Sequence, residues 1–347
     1  MAVVATGFFD GVHLGHRQVI RALVSSARER GEEAIVVTFA QHPRAVLQQD
    51  ARTLRLLNSP AEKEALLRGL GVDRVETLRF DRALARLTAA DYIRDILRDR
   101  LGATLLILGF DNRLGSDQLG PDAIQPLAES LGLEVLVVPP AVAASLRGNQ
   151  PLKMSGCAGP LPSDDGPLEG SATGAPENST IFGVVLPRVA RFSGAVAAST
   201  APATAGETVS STKIRKALER GEVEAAEEML GYAYGLRGVV VSGKQLGRTL
   251  GFPTANLRLY DPMKLIPARG VYLTEVDVLG GHYWGMTNVG EPIETHIFDF
   301  SEDIYGLDLE IRFRRWLRPM RNMDSLDALK TQLAADEAAC RELLKSI

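Results

Sequence analysis

The stretch of this chain that decides its fold is residues 3–16, which read VVATGFFDGVHLGH. Residues 3–6 are a short apolar run typical of a buried strand, and a helical pattern follows over residues 17–30 until Gly31 ends it. The loop between them therefore joins the carboxyl end of a strand to the N-terminus of a helix. Backbone N–H groups and positive potential at such a junction attract anions.

The same loop carries two histidines and a glycine at a spacing that suits a polyphosphate. His13 and His16 add hydrogen-bond donors beside the helix N-terminus, and Gly15 lets phosphates approach the backbone closely. The order G-x-G-x-x-G is missing, so the loop does not indicate a nicotinamide dinucleotide site. We therefore expect a nucleotide phosphate site at this junction.

The alternation of strand and helix continues through the first 140 residues. Strands that are apolar throughout and separated by helices form a parallel sheet covered on both faces, and such a sheet binds ligands at the carboxyl ends of its strands. The further predicted strands are 34–39, 74–80, 104–109 and 133–138, and the predicted helices between them are 61–70, 88–101 and 121–131.

The pattern changes after residue 140. Residues 141–206 are rich in Ala, Gly, Pro, Ser and Thr, and we expect a flexible insertion there. A helical pattern returns over 210–230 with a break at Gly221, and residues 324–345 predict an amphipathic helix with Cys340 on its apolar face. Evenly spaced short strands between these helices predict a small barrel. The predicted strands are 236–242, 271–278, 283–288, 295–300 and 309–313.

Composition excludes several classes of protein. Of 347 residues, 39 are Lys or Arg and 43 are Asp or Glu, and the net charge of −4 argues against nucleic acid as the main partner. No apolar run approaches the ~20 residues that a membrane span needs. Cys157 and Cys340 cannot form a disulfide framework or a four-cysteine zinc site. The N-terminus lacks the pattern of a signal peptide, and we expect a cytoplasmic protein. The sequence carries no indication of an oligomeric state.

Two later strings resemble ligand-binding motifs. Residues 210–215 read SSTKIR, and hydroxyls at the start of a helix together with an arginine one turn later can bind an anion. Residues 243–256 read GKQLGRTLGFPTAN, and the glycines allow backbone N–H groups to approach phosphate. The second string is not a P-loop because G-K-[ST] is missing.

Together these motifs resemble those of the bacterial bifunctional riboflavin kinase/FMN adenylyltransferase (FAD synthetase) family. The resemblance covers the chain except for residues 141–206. It implies a Rossmann-like nucleotidyltransferase domain with a parallel sheet, followed by a small riboflavin-kinase-type β-barrel domain with a C-terminal helix. The further matching segments are TFAQHPR at 38–44, GFDNRLG at 109–115, ETHIFDF at 294–300, DIYG at 303–306 and LRP at 317–319.

The resemblance implies an adenylyltransferase domain formed by residues 1–140 and 207–232. It implies that His13, His16 and Arg215 are catalytic, and that His42, Asp111 and Asn112 line the flavin or nucleotide. The residues that it assigns to ATP binding in this domain are Gly7, Phe8, Phe9, Asp10, His13, Gly15, His16, Ser211, Thr212 and Arg215.

The resemblance also implies a riboflavin kinase domain formed by residues 233–347. Glu294 would be the general base, and Mg²⁺ would be held by Thr254 and Asn256, partly through water. ATP, riboflavin and FMN would be the small-molecule substrates, with no nucleic acid and no membrane as partner. The residues assigned to ATP and Mg²⁺ binding are Gly243, Gly247, Arg248, Gly251, Thr254 and Asn256.

This chain departs from the family pattern at four places. Residues 141–206 form a longer passage than is usual, residues 291–293 replace a longer segment before Glu294, and Leu114 and Met320 replace a usual Phe and Glu. The leading interpretation is an enzyme that phosphorylates riboflavin to FMN and adenylylates FMN to FAD. Two alternatives are a monofunctional FMN adenylyltransferase with an inactive, flavin-binding kinase domain, and a non-catalytic flavin or nucleotide sensor.

Overall fold

The computed structural model begins with a five-stranded parallel sheet. Its strand order is β3-β2-β1-β4-β5, with neighbouring strands parallel throughout. The strands are β1 (Ala2–Thr6), β2 (Glu33–Phe39), β3 (Arg74–Leu78), β4 (Ala103–Gly109) and β5 (Glu134–Val138). The structure describes residues 1–40, 55–140, 208–243 and 246–346.

Helices cover both faces of this sheet, because helical crossovers connect its successive parallel strands. The apolar residues of β1, β2 and β4 are buried on both sides, which confirms the predicted doubly wound sheet. The helices are α1 (Leu14–Arg30), α2 (Pro60–Gly69), α3 (Ala89–Asp91, continued with π-type hydrogen bonding through Tyr92–Arg100) and α4 (Pro121–Ser130), and a single 3₁₀ turn covers Leu84–Arg86.

The two edge strands correct one expectation. All strands of the sheet are predicted to be buried throughout, but most residues of β3 and β5 are at least partly exposed. An edge strand has a neighbour on one side only, and charged residues such as Glu76 and Glu134 fit that position.

Local signals set the helix ends. His13 is the N-cap of α1, and Gly31 ends the helix with a left-handed φ of 65° that a residue with a Cβ rarely adopts. Ser59 and Glu62 form a reciprocal capping box at the start of α2. Residues 7–13 are thereby fixed between β1 and α1.

The second part of the chain is a closed antiparallel barrel, as the sequence predicts. Its strand order is β10-β7-β6-β11-β8-β9. Helices α5 (Ser211–Glu219) and α6 (Val223–Leu230) precede it, and α8 (Leu326–Leu344) follows it. The strands are β6 (Gly235–Val241), β7 (Ala255–Leu259), β8 (Gly270–Val278), β9 (Gly281–Val289), β10 (Ile293–Ile297) and β11 (Asp308–Pro319).

Two barrel elements differ from the prediction. Strand β7 and the short helix α7 (Leu246–Leu250) are missing from the predicted elements, because glycines and polar residues hide their pattern within residues 243–256. Strand β11 is longer than predicted, because its first half pairs with β6 and it continues along β8 through two irregularities in register.

Helix α8 packs against the outside of the barrel. Cys340 is fully buried among Phe252, Leu273 and Met286, as its apolar position predicts. Leu326 is 56% exposed, because the helix begins there and contacts the barrel further along.

The sheet and the barrel share a hydrogen-bonded junction. Leu56 pairs with the segment before β8, accepting a hydrogen bond from Leu265 N and donating one to Met263 O, both at 2.8 Å. The ammonium of Lys264 is buried there, in a salt bridge with Glu62. Among the described residues, no helix is long and apolar enough to cross a membrane.

Candidate active sites

The first candidate site surrounds the loop after β1. This loop follows β1, and another turn follows β4, its neighbour in the sheet. From β1 the chain continues toward one edge of the sheet, and from β4 it continues toward the other edge. The two connections therefore flank the crevice in which such folds usually bind a ligand. Phe9, Gly11 and Val12 all adopt positive φ angles, of 52°, 83° and 36°. Two non-glycine residues in this region store backbone strain, which is typical of functional loops.

His13 and His16 lie at the start of α1 with their rings stacked, the centroids 3.6 Å apart. The backbone N–H of His16 donates to Nδ1 of His13 at 3.3 Å, so a neutral His13 carries its proton on Nε2. Nδ1 of His16 is buried and has no hydrogen-bond partner among the described residues. In each ring one nitrogen therefore has no protein partner among the described residues.

Burial keeps both imidazoles neutral. It lowers the pKa of His13 to about 4, and the nearby Arg215 adds to this shift. Burial also lowers the pKa of His16 well below its ordinary value, with further contributions from His13 and Lys63. At neutral pH these side chains act as hydrogen-bond donors rather than as cations.

Asp10 connects the loop to a distant part of the chain. Its buried carboxylate accepts hydrogen bonds from the backbone N–H groups of Leu57, at 3.0 Å, and Asn58, at 3.3 Å. The same carboxylate forms an ion pair with Arg215, more than 200 positions away. Burial raises the pKa of Asp10, while Arg215 and the two backbone donors oppose that rise.

The SSTKIR segment lies directly beside this loop. Ser210 caps α5, and the hydroxyl of Ser211 donates to the backbone oxygen of Asp10 at 2.9 Å. Thr212 is exposed at the first turn. Arg215 also donates to the carbonyl of Arg55 at 3.0 Å, so its guanidinium is held by protein groups here. A direct contact of Arg215 with phosphate stays a prediction.

Lys63 lies at the first candidate site but belongs to none of the motifs quoted from the sequence. Its ammonium lies 4.1 Å from the centroid of the Phe8 ring and donates to the carbonyls of Phe8 and Phe39, at 3.1 and 3.2 Å. It thus ties together the carboxyl ends of β1 and β2, and burial lowers its pKa to about 8. Its position on one helical face with Leu66 and Leu67 was a usable signal, because a lysine among buried leucines needs polar partners.

The remaining predicted residues of this site have different surroundings. Asn112 donates to the carbonyl of Thr6 at 2.9 Å, which joins the ends of β1 and β4. Asp111 is exposed in the same turn. Gly7 lies against the ring of Phe9, and Gly15 is in the first turn of α1. His42 lies outside the described residues.

The second candidate site is formed by Gly243 and residues 246–256. A Cβ at Gly247 would come 2.3 Å from the carbonyl oxygen of Phe252 and 3.2 Å from Oγ1 of Thr254. A Cβ at Gly243 would come 2.3 Å from Nδ2 of Asn256. The glycines therefore allow the loop to lie directly on the segment that carries Thr254 and Asn256.

The rest of this loop is more open. Arg248 and Gly251 are exposed, and Gly251 closes α7 with a φ of 89°. The ring of His296 forms a 2.8 Å hydrogen bond with the carbonyl of Pro253, which fixes the residue before Thr254.

Glu294 lies in a row of polar side chains across three barrel strands. In the register of the barrel it is directly opposite Asn256 of β7 on one side and Asn288 of β9 on the other. Its neighbours along the chain, Ile293 and Thr295, are buried on the other face. The carboxylate therefore lies on the outer face of the barrel, on the side of the glycine loop.

The charges and polar atoms around Glu294 are compatible with a general base that lies next to a bound cation. Burial raises the pKa of Glu294, and a hydrogen bond from Asn288 opposes that rise. Oδ1 of Asn256 is buried and has no partner among the described residues. Thr254 and Asn256 offer the oxygen donors that Mg²⁺ prefers. Within the described ranges, no cluster of three or more His, Cys, Asp and Glu side chains could hold a metal ion instead.

Comparisons with known proteins identify relatives of both parts of the chain. Residues 1–148 match the FAD synthetase family, and residues 230–344 match the riboflavin kinase family. The bifunctional riboflavin kinase/FMN adenylyltransferase of Escherichia coli K12 is 30% identical over 98% of this chain and 92% of its own length. The enzyme of the same name from Listeria monocytogenes is 29% identical over 98% of this chain and 91% of its own length.

A similar solved structure carries a different name. The crystal structure of a macrolide-efflux protein from Streptococcus pneumoniae is 29% identical, with a TM-score of 0.75. The similarity covers 98% of this chain and 93% of the macrolide-efflux protein. The likeness therefore extends over the whole arrangement of sheet and barrel.

Proposed function

This chain belongs to the family of bifunctional riboflavin kinase/FMN adenylyltransferases, and we propose the side chains through which it performs the two reactions. The enzyme phosphorylates riboflavin to FMN, and it adenylylates FMN to FAD with release of pyrophosphate. We assign adenylylation to residues 1–140 with 207–232, and phosphorylation to residues 233–347. Because both reactions consume ATP, we further propose that the enzyme acts in the cytoplasm.

The kinase assignment rests on one observation, the position of Glu294 directly opposite Asn256 in the barrel. Glu294 accepts the proton of the riboflavin 5′-hydroxyl. The resulting oxygen forms a bond to the γ-phosphorus of ATP, the bond to the bridging oxygen of ADP breaks, and FMN and ADP result. Thr254 and Asn256 hold Mg²⁺, which when bound offsets the charge of the phosphate oxygens.

In the first site, an oxygen of the FMN phosphate attacks the α-phosphorus of ATP. The new P–O bond forms as the bond to the β-phosphate breaks, and pyrophosphate leaves. His13 and His16 donate hydrogen bonds to the phosphate oxygens as neutral imidazoles, in agreement with their lowered pKa values. Ser211, Thr212 and Arg215 complete the phosphate-binding edge, and Asp10 positions Arg215.

The test is product analysis by chromatography with Mg-ATP and either riboflavin or FMN. The wild-type enzyme should form FAD from both. Glu294→Gln should lower FMN formation by roughly 10²–10⁴-fold, the usual contribution of general base catalysis, and still convert FMN to FAD. His16→Ala should instead accumulate FMN from riboflavin.

The matched control is Glu302→Gln, an exposed carboxylate of the same barrel domain, which should behave like wild type. A Glu294→Gln enzyme that phosphorylates riboflavin at the wild-type rate would refute the role of Glu294. FAD from FMN alone in the wild type would support the monofunctional alternative, and binding without product would support the sensor.

A further inference from the structure

Two buried side chains that the proposed mechanism does not use hold the backbone of the loop after β1. The hydroxyl of Tyr232, two residues after the end of α6, donates to the carbonyl of Gly11 at 2.8 Å. The guanidinium of Arg17, in α1, donates through Nε to the carbonyl of Val12 at 3.2 Å. Two consecutive carbonyls of the loop are therefore held by side chains from behind.

The hydrogen bond between Tyr232 and Gly11 has a defined direction. A carbonyl only accepts, so the phenol O–H donates to it. Nδ2 of Asn58 donates in turn to the phenol oxygen at 3.1 Å, which leaves the proton of Tyr232 directed at Gly11. Tyr232 and Asn58 are both buried, and burial raises the pKa of Tyr232. The phenol therefore stays a donor at neutral pH.

Arg17 connects the loop with the segment that carries Tyr232. Its Cζ atom lies 5.3 Å from the centroid of the Tyr232 ring. Its Nη1 atom donates to the carbonyl of Gly231, the residue before Tyr232, at 3.4 Å. Because Arg17 is itself buried, its side chain has little freedom to leave this position. Both clamps on the loop thus support each other.

The loop needs this support because its backbone is strained. The positive φ angles of Phe9 and Val12 are unfavourable for residues with a Cβ, and they persist only where the surroundings fix them. Gly11 and Val12 are also the two residues directly before His13, the N-cap of α1. A change in their conformation would therefore move the N-terminus of the helix.

The direction of the two carbonyls matters for a phosphate ligand. A carbonyl oxygen carries partial negative charge and repels an anion, whereas the N-terminus of a helix attracts one. Since Tyr232 and Arg17 bind these oxygens inside the protein, the phosphates of a nucleotide can approach the start of α1 and the rings of His13 and His16 without that repulsion.

We propose that Tyr232 and Arg17 are positioning residues of FMN adenylylation, which hold the carbonyls of Gly11 and Val12 inside the protein and so keep the start of α1 in place for the phosphates of ATP. The inference rests on the proposed assignment of this loop to ATP binding. Neither side chain contacts the substrate, and each acts through the backbone.

The experiment measures kcat and KM for ATP in the full-length chain, separately for adenylylation of FMN and for phosphorylation of riboflavin. A misplacement of about 1 Å costs about 100-fold, and the loss of one of two supports allows a smaller one, so Tyr232→Phe should lower kcat/KM for ATP in adenylylation about tenfold. Part of this loss should be a higher KM for ATP. The kinetic constants of phosphorylation should stay unchanged.

The matched control is Tyr234→Phe. Its hydroxyl is also buried and donates to a backbone carbonyl, that of Leu265 at 2.6 Å, but it has no hydrogen bond to the loop. This variant should keep the wild-type KM for ATP in both reactions. A smaller folded fraction lowers kcat and leaves KM unchanged, so a higher KM is the result that a purely structural role would not produce.

A wild-type KM for ATP in the adenylylation reaction of a folded Tyr232→Phe enzyme overturns the proposal, and so does an equal change in Tyr234→Phe. If Tyr232→Phe loses phosphorylation too, a second pair of variants decides. Arg17→Met should raise the KM for ATP in adenylylation, and Arg17→Lys, whose ammonium can donate to Val12, should restore part of it. A wild-type KM in Arg17→Met overturns the proposal.

His16→Ala separates this proposal from the assignment of the loop. If His16→Ala loses adenylylation while Tyr232→Phe and Arg17→Met behave like wild type, the role of the two positioning residues alone fails. If His16→Ala forms FAD from FMN at the wild-type rate, the assignment of the loop to ATP binding fails first.

Discussion

Replacement of Gly247 by alanine should slow riboflavin phosphorylation through a steric effect that follows from the geometry of the loop. The added Cβ would lie 2.3 Å from the carbonyl oxygen of Phe252 and 3.2 Å from Oγ1 of Thr254. Ordinary contacts between carbon and oxygen are longer by about 1 Å, so the two segments must separate by about that distance. Phe252 N also donates to the carbonyl of Gly247 at 2.8 Å, so the loop cannot swing away without breaking a backbone hydrogen bond.

A displacement of this size would move Thr254, which is proposed to hold the metal ion and ATP. A misplacement of about 1 Å costs about 100-fold in rate when it disturbs the geometry of reacting groups. We therefore expect kcat for FMN formation to fall about 100-fold in Gly247→Ala. FAD formation from FMN should stay at the wild-type rate, since we assign adenylylation to residues 1–140 with 207–232, which do not include this loop.

The assay is chromatographic quantification of FMN and FAD from separate incubations with riboflavin and with FMN. Gly69→Ala is the matched control, because a Cβ at the end of α2 meets no atom within 4 Å. Kinase activity of Gly247→Ala within about threefold of wild type, less than 1 kcal/mol of activation free energy, would refute the reasoning. Equal loss of both activities would show damage to the fold instead of a local displacement.

Two further predictions concern titrating groups of the first site. The pKa of His13 is about 4 in the folded protein and about 6.5 in the unfolded chain. At a pH between these two values the unfolded chain binds more protons than the folded protein, so the free energy of unfolding falls as the pH decreases through this range. The variant His13→Asn can still cap α1. In urea unfolding, its free energy of unfolding should fall by about 2 kcal/mol less between pH 7 and pH 5 than that of the wild type. The same fall in both proteins would contradict the lowered pKa of His13. The pKa of Lys63 is about 8, so its ammonium is lost as the pH rises through that value, and wild-type FMN adenylylation should decline above pH 8. The Lys63→Met variant should adenylylate FMN about tenfold more slowly at pH 7, and its rate should not decline above pH 8. A variant with the same rate and pH dependence as the wild type would exclude Lys63 from the site.

The sequence allowed the sheet to be predicted because its signals are local. The inner strands β1, β2 and β4 are apolar runs, and each helix has its own stop signal, such as Gly31 after α1. The barrel was predictable from the spacing of short strands, but β7 was not, since Ala255–Leu259 is short and follows directly on a glycine-rich loop.

The contacts inside the two sites were less predictable, because they join residues far apart in sequence. The pairing of Asp10 with Arg215 depends on the packing of α5 against the first loop. The position of Asn288 beside Glu294 depends on the register of β9 and β10, and a shift of one residue would place it on the other face. Lys63 alone carried a local signal, as a lysine on an apolar helix face.

The short segment that contains Leu56, Leu57 and Asn58 has a consequence for how the enzyme unfolds. Its backbone pairs with the strand-like stretch around Lys264 through Leu56, and it holds the carboxylate of Asp10 through the next two N–H groups. A fragment that contained only the barrel would leave the buried ammonium of Lys264 without its carboxylate partner. A fragment that contained only the sheet would lose the backbone pairing that orders this segment. We therefore expect the two catalytic halves to unfold together in one transition, although each has its own substrate.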